Sequence, residues 1–112
     1  MINRAAIIVK PAQPFLDWLH SVDSASARLT LNDLQREPTI YLVPECDSES
    51  DAFEFLSQNV EEIFEEHLDG WYRVPAAWPT TRDLRTFRTW FVFSFHSMIV
   101  DLGHAPIEHE EL

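Results

Sequence analysis

The sequence predicts an α/β fold, with α+β as its alternative, and three observations carry that prediction. Strand-like apolar runs alternate with helix-like periodic segments, and the connections between the runs are long enough for right-handed crossovers. The third observation is composition: 46% of the 112 residues are hydrophobic, 12% are aromatic and only two are glycine. A chain of this size can bury roughly two thirds of its unfolded surface, so neither a metal nor a disulfide is needed to hold it. The expected architecture is one domain over residues 1–102, a sheet of about three strands packed with three main helices and one short helix. An acidic tail over 103–112 follows, read as flexible.

The run Ala5-Ala6-Ile7-Ile8-Val9, closed by Lys10-Pro11, reads as a strand buried on both faces and therefore central. Pro14 suits the first position of a helix over Pro14–Ser21, with Phe15, Leu16, Trp18, Leu19 and Val22 as its apolar stripe. After a small-residue loop over Asp23–Ala27, Thr30 reads as an N-cap with Asp33 at the third helical position, and Leu29 with Leu34 as a hydrophobic staple. Pro38 ends that short helix, and Thr39–Val43 reads as a strand stopped by Pro44. From Ser48 to Leu68 the positions Phe53, Leu56, Val60, Ile63, Phe64 and Leu68 recur at helical spacing, which predicts one long helix with Gly70 as its C-cap.

The stretch from Trp71 to Pro79 carries two prolines among its aromatics and reads as a loop. Thr80 or Thr81 then caps a helix with Leu84, Phe87, Trp90 and Phe91 on one side and Arg82, Arg85 and Arg88 on the other. A third strand is expected from about Phe93 to Leu102, its competitor being a helix prolonged into Phe95.

Charge narrows the functional classes. Eight Lys+Arg against nineteen Asp+Glu give a net charge of −11, which disfavours nucleic acid and anionic membrane surfaces as partners. Cys46 stands alone, as expected in a reducing compartment, and Ala5–Val9 is too short for a signal-peptide core. No apolar stretch nears the roughly 20 residues that span a bilayer. These features predict a soluble cytoplasmic protein. With two glycines there is no phosphate-cradling loop, and no C-x-x-C, G-x-S-x-G or H-E-x-x-H pattern occurs, so no cofactor is expected.

The ten acids between Glu45 and Asp69 have no Lys or Arg among them and hold nearly all the net charge. They read either as a solvated helix face or as a surface that docks a basic partner. Glu61 with Glu65 and Glu62 with Glu66 are like-charge i, i+4 pairs, each costing a few tenths of a kcal/mol unless a cation lies near. Arg82, Arg85 and Arg88 are the intramolecular answer; left free, their guanidinium forks suit a carboxylate or phosphate.

Trp71, Tyr72, Arg73 and Trp78 are residue types that dominate binding hot spots, or else they cap the core. The five histidines show no zinc spacing, and no metal is expected. His96 is the position for a ligand-binding or catalytic role, with Ser94 and Met98 on its face of the strand; Cys46 as a nucleophile is disfavoured by the acids that follow it. The resulting expectation is a non-enzymatic protein–protein interaction or regulatory module that engages a protein partner or a second copy. The alternative is a small enzyme or binding protein with an anionic ligand near His96 and the arginine face.

Overall fold

The structure is a computed structural model that describes residues 1–110. Its order is β1 (Arg4–Pro11), α1 (Gln13–Val22), α2 (Leu31–Gln35), β2 (Thr39–Pro44), α3 (Glu49–Ser57), α4 (Val60–Trp71), α5 (Leu84–Trp90) and β3 (Phe91–His96), with short 3-10 turns at Ser24–Ser26 and Pro75–Ala77. β1 is central, as its apolar run predicts, and the strand order is β2-β1-β3. Both pairings are antiparallel, with Ile7 opposite Tyr41 on one side and Phe95 on the other. No parallel crossover forms, and the fold takes the α+β form of the expected class.

Odd-numbered strand residues point to the helices. Ala5, Ile7, Val9, Val43 and Phe91 are buried there against Phe15, Leu19, Leu56, Phe64, Leu68 and Phe87. This front face holds the core. Phe91 sits at its centre, 5.1 Å from the Phe64 ring and 4.7 Å from that of Phe87. The predicted cap of α2 forms in full: Thr30 Oγ1 accepts from the Asp33 N–H, and the Asp33 carboxylate accepts from the Thr30 N–H.

Four boundaries differ from the sequence reading, each for a local reason. The single helix expected over Ser48–Leu68 is two, α3 and α4, separated at Gln58–Asn59. There the Ser57 hydroxyl donates to the Glu54 carbonyl and the Asn59 amide to that of Phe55, so side chains compete with the helical ladder. Gly70 is no C-cap: it lies inside α4, which runs on to Trp71 because that indole packs on the core, and no described residue has positive φ. α5 is capped by Asp83, whose carboxylate accepts from the Thr86 N–H at 2.9 Å, rather than by Thr80 or Thr81; Arg82 therefore precedes the helix. β3 begins at Phe91, drawn into extended geometry by the burial of its ring, and stops at His96, opposite Ala6, where β1 is about to run out.

Even-numbered strand residues form the back of the sheet, which no helix covers. Ile40, Leu42 and Val92 are 59%, 46% and 53% exposed. Beyond His96 the described chain has no regular structure and is almost wholly exposed, and Glu111 and Leu112 of the expected tail lie outside the described residues. No helix among the described residues is long and apolar enough to cross a membrane.

Candidate functional site

The aromatic stretch folds inward. Trp71, Tyr72 and Trp78 are half-buried against the core, with the Trp78 indole N–H donating to the Tyr72 carbonyl at 2.7 Å and that of Trp18 donating to Ala77 at 2.9 Å. Their work is to close the end of the core beside α1, and only Arg73 of this group is exposed.

Arg82 meets the acidic helix. Its guanidinium lies 3.1 Å from the Glu65 carboxylate and 3.8 Å from that of Glu61, while a further N–H donates to the Pro79 carbonyl. One like-charge pair of α4 is thereby neutralised inside the molecule. Arg88 lies 4.3 Å over the Phe53 ring and Arg85 is exposed, so the three arginines do not form one face. His96 is exposed on the back of the sheet with its Nε2 3.0 Å from the Ser94 hydroxyl, on the side away from Arg85 and Arg88. The structure does not bring them to a common pocket. Cys46 is half-buried, and burial, then Asp51 and Asp47, push its thiol pKa up, away from nucleophilic use.

The remaining acid pair, Glu62 and Glu66, borders a groove. β2 is an edge strand, and among the described residues its outer edge makes no backbone hydrogen bond. Between that edge and the α3–α4 junction lies a cavity of about 180 Å³, lined by Ile7, Val43, Phe55, Leu56 and Ile63 with Asn59, Glu62 and Glu66 at its mouth. A second hollow of about 290 Å³ continues past Glu66 to Thr39, Glu37, His67, Trp71 and the pair of exposed Arg36 with Asp33. The Tyr41 hydroxyl donates to Glu66 at 3.0 Å and struts the two apart. The groove thus has an apolar floor, an acidic rim and an unpaired strand along one wall.

Two groups of the groove have altered acidity. Burial, reinforced by the Glu66 charge, raises the Tyr41 pKa above the usual phenol range, so the hydroxyl stays a donor. Burial alone pushes His67 down to about 4; the ring is neutral at pH 7, packs 4.9 Å from Phe91, and its Nε2 has no hydrogen-bond partner. Among the described residues no three His, Cys, Asp or Glu side chains converge as a metal site.

Glu62 and Glu66 were singled out by sequence, whereas Tyr41 and His67 were not. The signal for His67 is its place four residues after Ile63 and three after Phe64, which puts it on the apolar side of α4. Tyr41 carries no local signal, because its role depends on which strand edge stays open. Comparison with family models, with curated proteins and with solved structures returns no match.

Proposed function

We propose that the protein is a non-enzymatic interaction module that receives an extended, basic and partly apolar segment of a protein partner along the outer edge of β2. The observation that carries this reading is the open edge itself, set beside an apolar cavity and an acidic rim. An incoming strand would satisfy the unpaired backbone groups and place alternate side chains about 7 Å apart over the groove. One apolar side chain fills the cavity between Phe55 and Ile63, and basic side chains two residues to either side, on the same face of the incoming strand, meet Glu62 and Glu66. In a chain of net charge −11, the field draws such a segment in, and a fixed tyrosine strut keeps the groove from collapsing. A reducing, cytoplasmic setting agrees with the single unpaired Cys46.

The test is fluorescence anisotropy with a labelled octapeptide whose alternate, groove-facing positions read lysine, leucine, lysine and lysine with threonine between them, together with amide shift mapping. Binding is expected to weaken as salt rises from about 0.1 M to 1 M, where the screening length shrinks from ~10 Å to ~3 Å. The pair Glu62→Gln and Glu66→Gln should weaken it about tenfold, two partly exposed ion pairs contributing up to ~1 kcal/mol each. Shifts that fall outside β2 and α4, or affinity indifferent to both salt and the double substitution, would remove the reading.

A further inference from the structure

Apart from Leu42, which also borders the groove cavity, the back of the sheet faces away from the groove and presents a separate need for cover. Its centre is Ile8, Leu42, Ile40 and Val92, with register placing Ile40 directly across from Ile8. Such a contiguous apolar face marks an interface in a water-borne protein. Its charge is also unusual for this chain. None of the nineteen acids lies at the back-facing strand positions, whereas Arg4 and Lys10 do. A cover for this face must therefore be apolar and acidic.

The chain itself supplies such a segment. After β3, Met98, Val100 and Leu102 stand at alternate positions and are 81%, 62% and 85% exposed, and Ile107 is 62% exposed. Asp101, Glu108 and Glu110 accompany them, with no Lys or Arg after Arg88. The molecule is correspondingly oversized. It exposes 7921 Å² against roughly 6,400 Å² for a compact chain of its mass. Its radius of gyration is 15.3 Å against about 13 Å for a compact domain of its length.

This segment does not reach its own back face. The Ile2 N–H donates to the Ile99 carbonyl at 2.9 Å, which carries the chain past the start of β1, and Met98, Val100 and Leu102 stay exposed there.

We propose that a second copy of this chain covers the back face, with the Met98–Ile107 segment of each copy crossing the sheet of the other around a two-fold axis. Size supports the exchange. Three strands about 4.8 Å apart and six residues long make a footprint of only ~300 Å², well short of the ~800 Å² per partner of a stable interface. The sheet contributes four back-facing positions from β1 and three each from β2 and β3, and the exchanged segment adds ten residues. Together they reach the 20 or so residues a side that such interfaces use. The acids of one tail then lie toward Arg4 and Lys10 of the other copy, and the contact is isologous, so it closes at two.

Sedimentation equilibrium of the full chain over a concentration series tests this. The unaltered protein is expected to approach twice the chain mass. Ile40→Asp with Val92→Asp, both at exposed positions of outer strands, should raise the dimer dissociation constant about a hundredfold or more, since two carboxylates would enter an apolar interface and face an acidic tail. Met98→Asp with Leu102→Asp should do the same from the tail, where no packing of the single chain is at stake. Circular dichroism and melting temperature verify that each variant is folded. An unaltered chain that stays at single mass throughout, or a dimer that survives either pair of substitutions, overturns the proposal.

Discussion

The two flanks of α4 carry the same chemistry and are put to opposite uses. Each bears a pair of glutamates one turn apart, Glu61 with Glu65 toward α5 and Glu62 with Glu66 toward β2. On the α5 flank Arg82 lies between the carboxylates and the rings of Phe64 and Phe87 lock beneath them at 6.4 Å, so charge and apolar surface are both consumed. On the β2 flank the Tyr41 hydroxyl meets Glu66, among the described residues no salt bridge to either acid forms although Arg36 lines the adjoining hollow, the floor is a cavity and the facing strand has a free edge. An acid pair on a helix is thus neither a structural nor a functional feature in itself. What decides is whether a cation and a filled core stand opposite.

The largest expected contrast comes from apolar truncation on the two flanks. Phe87 is fully buried among aromatics, and Phe87→Ala should cost about 3–5 kcal/mol of stability from lost transfer energy and the cavity left behind. Phe55 is 39% exposed and lines the groove, so Phe55→Ala should cost less than ~1.5 kcal/mol yet weaken the octapeptide. Urea denaturation of both variants checks the first pair of values and anisotropy the second. Equal losses of stability would mean that the β2 flank is core after all.

Acid should act through the groove flank next. His67 has its pKa depressed by burial to about 4, below the ordinary value of 6.5, so the unfolded chain takes up this proton before the folded one does. Stability is complete above pH 6.5 and is lost as pH falls toward 4. At ~1.4 kcal/mol per pH unit, about 2 kcal/mol should disappear between pH 7.5 and pH 5. The depressed carboxyls of Asp33 and Asp83 are clear of this window, because their contribution fades only below about pH 4. His67→Leu should flatten the profile over that interval, as read from urea midpoints at the two pH values. A slope that persists in the variant would assign the loss to other groups.

Sequence made the strand order's centre, the α2 cap and the aromatic core legible, since each rests on a local rule. The run Ala5–Val9 reads as a central strand buried on both faces, and it is central although no helix covers its back, where Ile8 is only half-buried; Thr30 with Asp33 at the third position has few uses besides a capping box. What escaped was set by distant partners. β3 ends at His96, opposite Ala6 and two residues short of the start of β1, and beyond it only the Ile2 N–H to Ile99 carbonyl bond joins the two segments, although Met98–Leu102 has every local mark of a strand. The groove needs Tyr41 and Glu66, 25 positions apart, to meet across an edge whose openness depends on β3 having paired with the other side of β1. Arg82 was grouped with Arg85 and Arg88 by spacing, and the cap at Asp83 placed it outside their helix.

The finest contrast is between the charges themselves. Arg82→Gln removes the cation from Glu61 and Glu65, which are 71% and 40% exposed at their side chains, so the loss should be no more than about 1 kcal/mol. It should shrink further at high salt, where the freed repulsion is screened. Glu62→Gln works in the opposite direction. It relieves an uncompensated i, i+4 repulsion with Glu66 and should leave stability unchanged or higher by a few tenths of a kcal/mol, while octapeptide binding falls. Denaturation of the two variants at low and high salt, beside anisotropy, measures all four effects. The decisive feature is their sign: a residue kept for the fold loses stability when neutralised, whereas one kept for a partner loses only the partner. Should Glu62→Gln destabilise the protein as Arg82→Gln does, a cation such as Arg36, which lines the hollow beside Glu66, would have to compensate the β2 flank, and the acidic rim would be structural like its twin.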